Sequence, residues 1–331
     1  MARRYLRRAF SIPLSLLLAP LMLVLSPLVI PLLALIDIVS GAPRRLPLAR
    51  IGLMAVAFAC HEWYAMALYL RALLGSKERR LDRLQEGMGT WSMSLIKWAG
   101  HTLGAKLDWG DPATMPKGYL LLLSRHASNV DAIIPSALFP HILERPAHYV
   151  LKRELRWISS MDLFGPPLGN YFVARGGNTG AELQQLRALG EHVRPEGALV
   201  IFPEGTFATP AARKRIRASL ERRNEKTALA LTDELRALLP PKPSGVHALL
   251  RARPDARPMI LAHRGLDGVA SMAGMRANVP LRTPVVVRWW PTEPVPTGEA
   301  AQELWLQDEW RRLDRWVTSD SLVPPPEAPT P

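Results

Sequence analysis

Hydrophobic and polar positions change pattern sharply along this chain. Residues 11–36, SIPLSLLLAPLMLVLSPLVIPLLALI, contain no charged side chain, and IGLMAVAFACHEWYAMALYL at 51–70 has Glu62 as its only acid. A helix needs about 20 apolar residues to cross the hydrocarbon core of a bilayer. The first run exceeds the ~7–15 residues of a signal-peptide core and no small-residue cleavage site follows it, so it reads as a retained anchor. Pro13, Pro20, Pro27 and Pro31 interrupt it, which predicts a kinked or re-entrant helix. The pattern thus predicts a membrane-embedded helical hairpin, with helices at about 11–39 and 51–74 inside an anchor at 1–84. The hairpin either spans the bilayer or lies within one leaflet.

Beyond residue 85 the apolar runs become short. GYLLLLS (118–124), HYVLK (148–152), GALVIFP (197–203), PMILAH (258–263) and VVVRWW (285–290) read as buried strands. Between them lie helix-like stretches such as TGAELQQLRALGEHV and AARKRIRASLERRNEKTALALTDELRALL. Strands alternating with helices predict an α/β domain over 85–322, built on a mixed, largely parallel sheet flanked by helices. The closing VPPPEAPTP predicts a disordered Pro-rich tail at 323–331.

Charge narrows the partners. The chain carries 42 Lys and Arg against 29 Asp and Glu, a net +13, which favours nucleic acid, anionic lipid or phosphate-bearing substrates. The basic residues adjoin the apolar hairpin and no nucleic-acid recognition motif is present, which argues against nucleic acid. Arg3, Arg4, Arg7 and Arg8 precede the first apolar run, and Arg44, Arg45 and Arg50 follow it, so these flanks give no clean orientation. The still more basic RALLGSKERRLDR favours a cytoplasmic main domain. The single cysteine, Cys60, forbids an internal disulfide or a thiolate metal cluster.

Three stretches carry candidate chemistry. In LLSRHASNVDAII, His126 and Asp131 follow a predicted strand and enter a turn. A histidine there accepts a proton near neutral pH, and a carboxylate on its other nitrogen fixes the tautomer and stabilises the imidazolium. In GNYFVARGGNTG, Arg175 precedes Gly176, Gly177 and Gly180, a guanidinium beside helix-start amides suited to phosphate. In VIFPEGTF, Glu204 stands at a strand's carboxyl end before Gly205, with Thr206 placed to cap the following helix. Each stretch alone is also compatible with a surface ion pair, a glycine turn or an N-cap.

Together and in this order, the three resemble the glycerolipid acyltransferase superfamily, typified by the lysophosphatidic acid acyltransferases. HASNVD matches its histidine–four residues–aspartate motif, YFVAR its second block and FPEGT its third. LPPKPSGVHALLRA and the Trp-rich close LWLQDEWRRLDRWV are similar to the lysocardiolipin and lysophosphatidylinositol acyltransferase branch. Arg125 stands where the family often has Asn, and Phe207 where an Arg often follows the EGT; the cluster Arg213, Lys214, Arg215 and Arg217 offers replacement charge.

The resemblance implies a membrane-bound O-acyltransferase of phospholipid biosynthesis, at a bacterial inner membrane with its catalytic domain on the cytoplasmic side. It implies transfer of a fatty acyl group from acyl-CoA or acyl-ACP to a lysophospholipid, 1-acyl-sn-glycerol-3-phosphate first, giving phosphatidic acid. Lysophosphatidylinositol and lysocardiolipin are the alternative acceptors. His126 and Asp131 take the catalytic roles, and Arg175, Glu204, Gly205 and Thr206 bind substrate. The acyl thioester is a co-substrate, and neither a cofactor nor a metal is expected. Two other readings compete: a serine hydrolase using Ser128, which lacks the glycines of a nucleophile elbow, and an anchored protein that only binds anionic lipid.

Overall fold

The computed structural model of the chain describes residues 2–128, 130–173 and 180–325. In chain order the elements are helices α1 (Ala2–Val39), α2 (Pro47–Leu73) and α3 (Arg80–Leu103), then strands β1 (Leu107–Trp109) and β2 (Leu120–Ser124). There follow α4 (Ile133–Ala137), β3 (Ala147–Lys152), α5 (Ser159–Phe164), β4 (Tyr171–Val173), α6 (Gly180–Glu191) and β5 (Ala198–Ile201). The remainder is α7 (Pro210–Arg222), α8 (Lys226–Glu234), α9 (Pro243–Ala252), β6 (Arg257–Arg264), α10 (Met272–Asn278), β7 (Val285–Pro291) and α11 (Glu299–Thr318). These elements fall into two compact units, one of Met1–Leu107, Ile133–Gly176 and Ser271–Val285, the other of Asp108–Ala132, Gly177–Ala270 and Val286–Pro331.

The first unit holds an apolar helical pair. Both α1 and α2 are long and apolar enough to cross a membrane by length and composition. Helix α1 begins at Ala2, well before the expected residue 11, and is assigned as one helix through all four prolines. Most of its apolar surface has no cover: Leu17, Val24 and Leu28 are each at least 70% exposed. A contiguous apolar face of this extent marks an interaction surface. Helix α2 instead buries one side, and Ala65 and Ala72 join Leu84, Met88, Trp91 and Leu95 of α3 and Phe164 of α5 in one core. Three acids near this core have partners, although Asp37 Oδ1 has none among the described residues. Asp37 accepts from the Ala49 amide in the first turn of α2 (3.1 Å), where Pro47 at the helix start presets the backbone. Glu62 accepts from the Ser160 amide (2.8 Å) and hydroxyl (2.6 Å). Asp162 accepts from Arg7, Arg8 and Arg156. Strands β3 and β4 pair in parallel, with Leu151 opposite Phe172.

The second unit confirms the α/β reading. Its strands run in the order β1-β7-β6-β2-β5, with β2 parallel to both β5 and β6 and with β7 antiparallel to β6. Every residue of β2 is buried, which is why its sequence is a continuous apolar run rather than an alternation. Helix α9 buries Val246, Ala248, Leu249 and Leu250, and α11 buries Trp305, Trp310 and Trp316, with Trp316 packed 5.5 Å from Trp290 of β7. Asp314 of α11 accepts from the amides of Arg236, Ala237 and Leu238, fixing the segment after α8. That segment reaches the site described next.

Candidate active site

Parallel strands direct their carboxyl ends to the same side of a sheet, and in α/β proteins ligands bind there. Here the register puts Ser124 beside Leu261 and Leu123 beside Ile201, so the residues leaving β2, β5 and β6 emerge together. They are Arg125 and His126 after β2, Phe202 to Gly205 after β5, and His263 at the end of β6.

The turn after β2 wraps around one carboxylate. Asp131 is fully buried, and its Oδ2 accepts from His126 Nδ1 (3.0 Å), the Ala127 amide (2.6 Å) and the Ser128 amide (2.7 Å). Its Oδ1 accepts from the Ser128 hydroxyl at 2.6 Å. Burial pushes the Asp131 carboxyl up, but the neighbouring His263 and His126 and the bonds from His126 and Ser128 outweigh it, and the net shift is downward. The five-residue spacing thus closes into a tight turn, as a turn entering a helix allows. With Nδ1 engaged, the His126 nitrogen left free among the described residues is Nε2. The ring is fixed by Phe202 (4.9 Å between centroids) and Phe207 (5.0 Å). A histidine held in this way has the geometry that general-base chemistry requires.

Glu204 supports the His126 turn from behind. It is 1% exposed; Oε1 accepts from the His126 amide (2.9 Å) and Oε2 from the Leu239 amide (3.0 Å). Both carboxyl oxygens are therefore spent on backbone amides. Leu239 follows the segment that Asp314 fixes, so α11, the 236–239 segment, Glu204 and His126 form one connected series of bonds. Burial pushes the Glu204 carboxyl up to about 8, against the two amide bonds that pull it down.

Gly205 has φ +67°, a left-handed conformation that glycine adopts without strain, and a Cβ there would sit 3.2 Å from Lys242 Nζ. The Lys242 amide donates to Pro203 O (2.8 Å), which lays this lysine on the glutamate–glycine turn. Burial and the nearby Arg223 and Arg215 pull its ammonium pKa down, and no carboxylate pairs with it among the described residues. Thr206 is half-buried beside this turn but does not cap the next helix; Thr209 does, accepting from the Ala212 amide at 3.1 Å. Of the basic cluster on α7, Arg213 is spent on the carbonyls of Thr232, Leu235, Arg236 and Leu238, and Arg217 on Glu221 and Asp233. Lys214 and Arg215 remain exposed. Arg175, with Gly176 and Gly177, lies outside the described residues.

Two groups at the site are not singled out by the motifs. Arg125, 1% exposed, donates to His263 O (2.7 Å) and pairs with Asp267, tying the end of β2 to the turn after β6. His263 is buried next to Asp131, with Nε2 3.5 Å from Oδ1. Nothing in PMILAHR distinguishes it from a core residue, because the contact depends on the register between β2 and β6. Among the described residues no group of three or more His, Cys, Asp or Glu side chains is placed to hold a metal ion.

The Acyltransferase family profile matches residues 108–262, which include His126, Asp131, Glu204 and Lys242 but not His263 or Asp267. No curated protein matches the chain. Among solved structures it is similar to the crystal structure of the 1-acyl-sn-glycerophosphate (LPA) acyltransferase PlsC from Thermotoga maritima. The two share 12% identity with a TM-score of 0.55, over 82% of this chain and 97% of that one. At that identity the likeness is one of fold.

Proposed function

We propose that the chain is a member of the glycerolipid acyltransferase superfamily and that it transfers a fatty acyl group from acyl-CoA or acyl-ACP to the free hydroxyl of 1-acyl-sn-glycerol-3-phosphate. The observation that carries the reading is the His126–Asp131 pair at the carboxyl end of β2, with Nδ1 engaged and Nε2 free among the described residues. His126 Nε2 takes the hydroxyl proton as the oxygen attacks the thioester carbonyl. The new C–O bond forms, the C–S bond breaks as the tetrahedral intermediate collapses, and His126 returns the proton to the departing thiolate. Asp131 holds the imidazole in the productive tautomer and stabilises its charged form. The chemistry needs no cofactor beyond the thioester itself.

Arg175 binds the acceptor phosphate in this proposal, and Lys242 with Arg215 supplies further positive charge around the glutamate–glycine turn. Glu204 acts by holding the His126 backbone rather than by touching the acceptor, and Gly205 and Thr206 shape the turn in front of it. The apolar pair α1–α2 sits in the bilayer where lysolipid is found, which the uncovered face of α1 supports. The hydrolase alternative is disfavoured because the Ser128 hydroxyl donates to Asp131 Oδ1 and the residue is 1% exposed. The test is to assay the purified protein with one acyl-CoA and a panel of lysolipids. Transfer to lysophosphatidate above lysophosphatidylinositol and lysocardiolipin is expected. Preference for either of those reassigns the acceptor, and binding of anionic lipid with no transfer to any acceptor leaves only the lipid-binding reading.

A further inference from the structure

His263 is a buried imidazole whose hydrogen-bonding capacity is not filled among the described residues. The residue is 1% exposed, and among the described residues neither Nδ1 nor Nε2 has a partner within full hydrogen-bonding geometry, although the Arg125 backbone lies close enough to act on the ring. Burying polar nitrogens without partners is costly, and such groups call for an explanation. The nearest carboxylate oxygen is Asp131 Oδ1, 3.5 Å from Nε2. That oxygen accepts from the Ser128 hydroxyl alone among the described residues, while Oδ2 already takes three donors. An unused donor therefore stands beside an acceptor with spare capacity, and a small closure of 3.5 Å completes the bond.

The surroundings favour a neutral ring. The groups facing His263 and Asp131 are Arg125 and His126 after β2, Glu204 after β5 and Asp267 after β6. Burial and the Arg125 guanidinium hold the His263 imidazole below its ordinary range, against the pull of Asp131, Asp267 and the Arg125 backbone. Its main chain is also fixed, since Arg125 Nη1 donates to the His263 carbonyl at 2.7 Å and the strand pairs it with Val287. A neutral ring with Nε2–H toward Asp131 is the state that satisfies both partners.

We propose that His263 is a positioning residue for the acyl-transfer site: as the neutral Nε2–H tautomer it donates to Asp131 Oδ1 and fixes the carboxylate that orients His126. The kinetic part rests on the function proposed above; the contact itself does not. Without this donor the carboxylate is freer to rotate and is a stronger base, so the His126 imidazolium is held more tightly. Turnover falls, and the acidic limb of kcat/KM, which reports loss of the His126 proton, moves to higher pH.

Glutamine carries an Nε2–H donor about as far from the backbone as that of histidine, whereas leucine fills the space without one. His263→Leu should lower kcat by about 10–100-fold, the worth of one hydrogen bond to a charged group, with the acceptor KM unchanged and the acidic limb shifted upward. His263→Gln should recover most of the turnover and the wild-type pH profile. Equal losses in the two variants, or an unmoved acidic limb in His263→Leu, would overturn the role. Nitrogen-15 NMR of ring-labelled histidine in the full-length wild-type protein tests the contact independently of activity and of how the Leu variant folds. It should show His263 as a neutral Nε2–H ring at neutral pH, and a Nδ1–H tautomer or an imidazolium there would refute it. Wild-type protein that transfers no acyl group yet shows the Nε2–H ring would end the acyltransferase reading while leaving the contact in place.

Discussion

Replacing Glu204 with Gln separates a backbone-holding role from a substrate-binding one. The carboxyl group accepts from two buried amides, His126 N and Leu239 N. Glutamine offers one oxygen and one NH2 group, so in either rotamer one amide faces a donor. An unsatisfied buried N–H costs about 1–3 kcal/mol, and Glu204→Ala, which abandons both amides, about twice that. The wild-type group adds a pH dependence of known sign. Its pKa rises from the ordinary 4.5 to about 8 on folding, so the folded state keeps a proton that the unfolded chain releases. Its contribution is complete below about pH 4.5, shrinks as pH rises, and is lost by about pH 8. The loss across that window is on the order of a few kcal/mol, because each pKa unit is worth about 1.4 kcal/mol. Glu204→Gln has no such slope. Thermal unfolding in detergent micelles should therefore show the variant clearly less stable than wild type at pH 5, with the gap narrowing or reversing by pH 8. In steady-state assays kcat should fall by up to about 100-fold, as a displacement of ~1 Å in a reacting group does, with the acceptor KM within about twofold. A large rise in acceptor KM, with stability and kcat intact, would mean that Glu204 contacts the acceptor and that the backbone-holding role is wrong.

Other consequences are open to direct tests. Arg175→Ala should raise the acceptor KM about 10-fold or more and leave the donor KM nearly unchanged, because a charge-assisted contact to phosphate is lost; equal effects on both would remove Arg175 from the acceptor site. The apolar pair should keep the full-length protein in the pellet when membranes are washed with alkaline carbonate, and release into the supernatant would show that it is not embedded. Deleting residues 1–75 should yield aggregated protein rather than a free domain, since α2 supplies Ala65, Ala72 and the Glu62–Ser160 bonds to its unit; recovery of a soluble monomer would contradict that packing.

The buried strands were readable because a strand covered on both faces needs no polar positions. Residues 118–124, 148–152, 197–203, 258–263 and 285–290 coincide with β2, β3, β5, β6 and β7 within a residue or two. Strand β1 escaped because its three residues are only half-buried and carry Asp108. Helix α3 escaped because its first turns, RLDRLQEG, hide the apolar positions Leu84, Met88, Trp91 and Leu95 among charged and small ones. At the site, His126 and Asp131 are close in sequence, so their turn could be anticipated. Glu204 could be placed near them, but its bonds to His126 and Leu239 depend on how β2, β5 and the 236–239 segment meet. His263 and the Arg125–Asp267 pair depend on the register of β2 with β6, which local sequence does not encode. The α7 arginines illustrate the converse: a basic run looks like free charge, yet Arg213 is occupied by four carbonyls.

The central claim is that His126, oriented by Asp131, is the base that moves an acyl group onto a lysolipid. It is tested most directly by following labelled acyl-CoA and lysophosphatidate with wild-type protein, His126→Ala, Asp131→Asn and the double variant, each checked for folding. His126→Ala should lose about 10²–10⁴-fold in transfer, the usual worth of a general base, and Asp131→Asn should lose turnover with little change in donor KM. Because the two act as a unit, the double variant should be hardly slower than His126→Ala alone. Full activity in folded His126→Ala would contradict the mechanism outright.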